Sequence, residues 1–238
     1  AASLADDWKG IKFIQRETNG GTGAANNTGI KKSFAKFVTI MCGDDMMESE
    51  RLETMLSKIK ENPDSVVYDD CRLFTGSERT THLRMKEYNF DKLLYKNHMH
   101  CGIMYKKYAW EVMGGYPEAM KYGREDWAVN ISLGVNGYCG VRIPKPMYLY
   151  RRENQNRTLS NTTPSWRKFF LGQLEKLFPR IYAGERPMGC CGGRGQPKAV
   201  VSTKGIPAVQ GVDGMTLIQY VGGSVGTQSW YGVISGKQ

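Results

Sequence analysis

A chain of 238 residues that is 40% hydrophobic and 24% charged has apolar material for one sizeable core and a small appendage, which excludes a disordered protein. Its 33 basic against 23 acidic residues give +10, a balance that fits contact with phosphates, whether of a nucleotide, a lipid head group or a nucleic acid. The charge is spread along the chain, with no basic stripe interleaved with aromatics, so nucleic acid is not the expected partner, and no apolar run nears the roughly 18 residues of a membrane span.

In chain order, "IKFIQRE" (11–17) alternates apolar and polar residues and predicts a short strand, followed by the Gly-rich turn "TNGGTG". "AANNTGIKKSFAKF" (24–37) places Ala24, Ala25, Ile30, Phe34 and Phe37 near helical spacing. "FVTIMC" (37–42) predicts the next strand and runs straight into Gly43, Asp44 and Asp45. "SERLETMLSKIKENP" (49–63) predicts a helix capped by Ser49 and stopped at Asn62-Pro63. "SVVYDDCRLF" (65–74) predicts a third strand, so strands alternate with helices in the manner of βα units and a mostly parallel sheet. In such sheets ligands gather beyond the carboxyl ends of the strands, which puts Asp44 and Asp45 on the ligand edge.

The pattern loosens after Arg72 and recovers at the strand "HCGIMYKK" (100–107). A helix from Glu125 to Leu133 opens with two acids, where the positive end of the helix dipole favours negative charge. "YCGVRIPKPMYLYRR" (138–152) predicts a strand pair interrupted by prolines, and "SWRKFFLGQLEKLF" (165–178) an amphipathic helix. Glycine becomes dense from Gly184 on. The reading therefore divides the chain into an α/β domain over residues 1–184, a Gly/Pro-rich linker over 185–198 and a small β module over 199–238, whose strands "MTLIQYVGG" and "SWYGVISG" need another strand or surface to be stable.

The segments "NGGTGAANNTGIKKS", "FVTIMCGDDM", "CGIMYKKYAWEVMGGYPE" and "YGREDWAVNISLGVNGY", in that order and spacing, resemble the family-2 glycosyltransferases of the GT-A fold over roughly residues 8–152. The resemblance implies a mostly parallel sheet flanked by helices. It also implies that the βα units which open the family's domain are missing ahead of "AASLADDWKG", so that a separate N-terminal half could supply them. The implied reaction is transfer of a sugar from a nucleotide diphosphate donor to an acceptor hydroxyl, on a glycan, a lipid-linked molecule or a protein, with inversion of configuration.

Under the resemblance each acid pair has a task. Asp44 becomes the ligand of Mn²⁺ or Mg²⁺, a Lewis acid for the departing diphosphate, with Asp45 behind it. Asp126 becomes the general base, with Glu125 beside it. Gly23, Ala25, Asn26 and Asn27 are implied to face the donor nucleotide, and Arg152, next to Arg151, the diphosphate. Cys42 stands where the family's first acid would be, and a thiol does not accept a hydroxyl hydrogen bond as a carboxylate does. The segment "YRRENQNRT" holds no His where the family often has one after Tyr-Arg. His98, His100 and Cys101 are expected to line the acceptor side or to pack.

A second reading, favoured by Cys42, is a non-catalytic carbohydrate-binding or assembly protein on the same scaffold. The six cysteines lie without a repeated spacing and no charged-then-apolar leader opens the chain, which predicts reduced thiols and a cytoplasmic location. The sequons at Asn26, Asn130, Asn156 and Asn161 would matter only in a secretory compartment.

Overall fold

The computed structural model describes residues 11–152 and 163–187, together with the backbone of two later strands, Leu217–Gly222 and Ser229–Gly232. The order of elements is β1 (Ile11–Phe13), α1 (Gly21–Lys32), β2 (Phe37–Thr39), β3 (Met41–Cys42), β4 (Met46–Met47), α2 (Arg51–Glu61), β5 (Ser65–Thr75), β6 (Glu78–Leu83), α3 (Phe90–Leu93) and β7 (Met104–Lys106). After these come α4 (Lys107–Val112), α5 (Glu125–Val135), β8 (Cys139–Arg151), α6 (Pro164–Leu177), α7 (Pro179–Tyr182), β9 (Leu217–Gly222) and β10 (Ser229–Gly232).

The main sheet has the order β2-β7-β5-β8-β4, with β6 added to β5. Its centre is β5, whose side chains alternate between two cores as the two-residue period of a strand requires. Val67 meets Met55 and Ile59 of α2, four residues apart on one helix face, with Met104, Ile143 and Met147. Val66 and Tyr68 pack into the larger core with Ile30, Val38, Tyr105 and Leu133. The site described below lies where the ends of β3, β8 and the turn before β7 converge.

The α/β class holds, but the sheet is not mostly parallel. Among the described residues only β5 with β8 and β1 with β9 pair parallel; β2–β7, β5–β7, β5–β6, β4–β8, β9–β10 and β3–β10 are antiparallel. The reason is local: after β5 the chain turns back through Gly76 into a hairpin strand instead of a crossover helix. The expected strand pair over 138–152 is a single strand, β8. Its prolines fall at a register shift, Ile143 lying opposite Asp69 and Pro146 opposite Asp70, and bulges are where a strand tolerates a residue without an N–H.

Helix α2 begins at Arg51 with Glu50 in the cap position, and the Ser49 hydroxyl bonds to the Glu50 carboxylate at 3.3 Å instead of capping the helix. A backbone turn from Arg51 N–H to Glu48 O, 3.1 Å, starts the helix in its place. Residues 188–198 of the expected linker and most of 199–238 lie outside the described residues, as do Asn156 and Asn161. The backbones of β9 and β10 join a second sheet of order β1-β9-β10-β3, with Ile11 opposite Leu217 and Cys42 opposite Tyr231. No helix among the described residues is long and apolar enough to cross a membrane.

Two acids in the middle of β5, Asp69 and Asp70, are wholly buried, and they face opposite sides of the sheet. Asp69 receives a two-pronged guanidinium from Arg51, Nε to Oδ2 at 3.0 Å and Nη2 to Oδ1 at 2.8 Å. Arg51 Nη2 also donates to the Gly102 carbonyl. Asp70 takes the same fork from Arg142, both bonds 2.8 Å, with His82 Nε2 at 2.9 Å and the Met85 N–H at 2.9 Å. Burial works against ionised Asp69, but Arg51 and His100 outweigh it and hold the carboxyl down at about 2.

Arg51→Met leaves Asp69 buried without its cation, a defect that costs about 3–5 kcal/mol, to be read from urea unfolding; Arg51→Met combined with Asp69→Leu recovers most of the loss. Asp69 lies below its ordinary value of 3.8 in the folded protein, so its contribution is whole above about pH 4 and is lost as pH falls toward 2. A pH series of urea midpoints in the parent and the double variant isolates that acid limb.

Candidate functional site

The acids Asp44 and Asp45 sit in a turn between β3 and β4, closed by a bond from Asp45 N–H to Cys42 O at 3.1 Å. The turn sends the two carboxylates opposite ways: Asp44 is exposed, and Asp45 is buried at 6% exposure. Asp45 Oδ2 accepts from the Tyr148 hydroxyl at 2.6 Å and Oδ1 from the Arg151 N–H at 2.9 Å. Burial is the main influence on this carboxyl and raises it to about 7, with Tyr148 and Arg151 pulling the other way. Arg151 also donates through Nε to the Asp44 carbonyl at 2.6 Å, and its guanidinium lies 4.6 Å from the centre of the Phe74 ring. Arg151 is thus the arginine that holds the acid turn. Arg152 is half-buried, and its N–H donates to the Phe74 carbonyl at 2.8 Å.

Tyr148 links the acid turn to the buried ion pair. Its ring packs 4.9 Å from the Arg51 guanidinium and 4.5 Å from the His100 ring. The Gly102 N–H donates to His100 Nδ1 at 3.0 Å, so the ring hydrogen sits on Nε2, which donates to Asp69 Oδ1 at 3.0 Å. Gly102 permits this stacking: a Cβ there would lie 2.5 Å from the Tyr148 ring. Cys42 and Cys101 meet beside the same tyrosine. Their sulfurs are 3.5 Å apart, and Cys101 Sγ is 3.4 Å from the Tyr148 oxygen. The bond between the two sulfurs, together with burial, pushes the Cys42 thiol well above its ordinary value.

Helix α5 presents the second acid pair. The chain enters it through Gly123 (φ 117°) and Arg124 (φ 64°), the one non-glycine residue with positive φ among those described. Asn97 donates through Nδ2 to Asp126 Oδ2 at 3.0 Å, and its own Oδ1 accepts from Asn130 Nδ2 at 3.1 Å. Burial raises the Asp126 carboxyl above the ordinary range; Arg124, the helix N–H groups and His100 act in the opposite direction. His100 therefore lies between the two acid pairs, bonded to Asp69, packed on the ring of Tyr148 that holds Asp45, and near enough to Asp126 to influence it. Glu125, the neighbour of Asp126, is half-buried.

The segment after "NGG" is mostly interior. Gly23, Ala25 and Asn26 are buried in α1, where Gly23 lies against Tyr116 and Pro117. Asn27 works as a clamp on the loop that follows α4. Its Oδ1 accepts from Trp110 Nε1 at 3.0 Å and the Tyr116 N–H at 2.7 Å, and its Nδ2 donates to Tyr116 O at 3.0 Å and Glu118 Oε1 at 2.9 Å. The sequons at Asn26 and Asn130 fall on buried side chains, 5% and 1% exposed. Cys42, Cys71 and Cys101 are free thiols.

Sequence reasoning passed over Arg51, Asp69, Gly102 and Tyr148. The signal was present for one of them: two consecutive acids inside the apolar run "SVVYDDCRLF" cannot be buried without cations, and Arg51 and Arg142 are those cations.

The profile described as "Glycosyl transferase family 2" matches residues 1–127. Among solved structures the chain is similar to S. aureus TarS 1-349 in complex with UDP-GlcNAc, with 18% identity over 73% of this chain and 50% of that one and a TM-score of 0.57. It is also similar to S. aureus TarS, with 18% identity over 69% and 28% and a TM-score of 0.51. For TarS 1-349 in complex with UDP the figures are 19% identity over 68% and 46% and a TM-score of 0.50. The chain spans half or less of the length of these structures, and at such identities the likeness is one of fold. No curated protein matches it. On the family match and the fold together, the chain belongs to glycosyltransferase family 2 and has the GT-A fold.

Proposed function

We propose that the chain serves the transfer of a sugar from a nucleotide diphosphate donor to an acceptor hydroxyl, with inversion at the anomeric carbon. The observation that carries this reading is the arrangement of two acid pairs around His100, one on the turn after β3 and one at the start of α5. The TarS structures with UDP-GlcNAc and UDP support a nucleotide-sugar donor of that kind. Asp126 takes the proton from the acceptor hydroxyl as the new bond from oxygen to the anomeric carbon forms and the bond to the leaving phosphate breaks. Its carboxyl, raised by burial and held by Asn97, is a stronger base than an exposed aspartate and is already oriented. Glu125, one residue earlier, orients the acceptor.

Asp44 suits a hard divalent cation, Mn²⁺ or Mg²⁺. Its carboxylate is exposed, and one or two carboxylates plus substrate phosphates are the usual protein share of such a site. The cation, when bound, would act as a Lewis acid on the leaving diphosphate. Arg151 and Arg152 stand at the end of β8 beside that turn, and Gly23, Ala25, Asn26 and Asn27 shape the α1 side of the donor site from behind. The free thiols Cys42, Cys71 and Cys101 support a cytoplasmic setting. We also propose a transferase domain over residues 1–184, a linker over 185–198 and a small β module over 199–238.

A non-catalytic carbohydrate-binding or assembly role is the second reading, favoured by Cys42, whose sulfur contacts Cys101 where the family places an acid. Transfer assays with any upstream half added back separate the two, because the second reading predicts sugar binding without turnover.

In those assays Asp126→Asn lowers transfer by about 10² to 10⁴ fold while donor binding survives. The acid limb of the kcat/KM profile, which lies above the ordinary carboxylate range in the parent, disappears in this variant. Loss of donor binding as deep as the loss of transfer would assign Asp126 to the fold. Titrating Mn²⁺ with a nucleoside diphosphate by calorimetry gives weaker coupled binding in Asp44→Asn than in the parent. Equal affinity in the two would remove Asp44 from the metal site.

A further inference from the structure

Cys42 is the last residue of β3, Cys101 lies in the turn before β7, and Asp45 closes the turn after β3. Two separate points of the chain, the turn after β3 and the turn before β7, thus bring two sulfurs and a carboxylate oxygen within 4.8 Å of one another. Tetrahedral zinc with sulfur ligands at about 2.3 Å sets the two sulfurs about 3.7 Å apart, and Cys42 and Cys101 are already at 3.5 Å. Both cysteines are half-buried. Asp45 uses one lone pair of each oxygen for Tyr148 and Arg151, and a carboxylate offers about four such sites, so it can still ligate. The hydrogen bond from Tyr148 to Asp45, with its oxygen 3.4 Å from Cys101 Sγ, is the kind of outer contact that orients ligands around a metal.

We propose that Cys42, Cys101 and Asp45 form a binding site for a thiophilic divalent cation, Zn²⁺ being the natural occupant, with a fourth position open to water or a small ligand. The donor set is soft, unlike the oxygen-only set that suits Mn²⁺ or Mg²⁺ at Asp44. Binding releases the two thiol protons, and any proton on Asp45, to solvent and needs no oxidant. The site shares the turn after β3 with Asp44, but neither the sugar donor nor the acceptor takes part in it.

The test uses the full chain with its thiols reduced and Zn²⁺ alone. One Zn²⁺ per chain is expected to survive gel filtration, and Co²⁺ in its place is expected to give an intense near-ultraviolet thiolate-to-metal band. Cys101→Ser and Cys42→Ser are expected to weaken Zn²⁺ by about 100-fold or more, the upper end of what lesser changes around a metal site cost, while Cys71→Ser leaves it unchanged. Should those variants fail to fold, the parent alone decides: Zn²⁺ is expected to protect Cys42 and Cys101 from iodoacetamide in a peptide mass map. Protection confined to other cysteines, no bound Zn²⁺, or full binding in the Cys42→Ser/Cys101→Ser double variant would each overturn the site.

Discussion

The buried pair of Arg51 and Asp69 is the constraint on which the rest of the site depends. Arg51 stands at the start of α2 and Asp69 in the middle of β5, and neither side chain has any exposure, so the pair ties a helix end to the central strand without water to soften the geometry. The same guanidinium reaches the Gly102 carbonyl and the face of Tyr148. Asp69 in turn fixes His100. Four elements, α2, β5, β8 and the turn before β7, are held in one register by a single charge pair. A buried pair of this kind is not a large net source of stability, since desolvation offsets most of its attraction. What it supplies is uniqueness: two nitrogens of Arg51 and both oxygens of Asp69 are matched in one arrangement.

That uniqueness explains why the acid turn after β3 is shaped as it is. Tyr148 can reach Asp45 only because its ring is fixed between Arg51 and His100, and Asp45 can be buried only because Tyr148 and the Arg151 N–H meet its oxygens. The neighbouring Asp44 is then pushed to the surface by the turn itself. Adjacent residues in the sequence acquire opposite environments, one suited to structure or a soft metal and the other to solvent and phosphate.

Helices were legible where Met55 and Ile59 repeat in α2 and where α5 follows its two acids, but the helical spacing read over 24–37 overran α1, which ends at Lys32 with Phe34 exposed and Phe37 in β2. The strands were legible as runs, but not their directions. Nothing in "SVVYDDCRLF" reveals that the next strand folds back as a hairpin, because direction is a property of the connection. The prolines of "YCGVRIPKPMYLYRR" read as a break because Pro cannot donate to a ladder, yet a bulge absorbs them and one strand continues. The acids at the two ends of the site were visible as motifs. Their surroundings were legible only at His100, expected to line the acceptor side or to pack; Asn97 and Tyr148 come from segments with no motif of their own, and only the fold brings them within hydrogen-bond reach. The clamp role of Asn27 was hidden for the same reason, since its partners lie more than 80 positions away in the chain.

The left-handed backbone at Arg124 acts as a mechanical stop. A helix that starts in ordinary backbone can slip or lengthen by taking in the residue before it, and each residue gained turns the side chains behind it by about 100° about the axis. With Gly123 and Arg124 both at positive φ, α5 cannot grow backward without first unwinding that joint. Changes in the length or sequence of the loop from Gly114 to Tyr122 are therefore absorbed before they reach the helix. The angular setting of Glu125 and Asp126 is insulated from the loop that precedes them, which leaves that loop free to vary in shape while the acids keep their bearing.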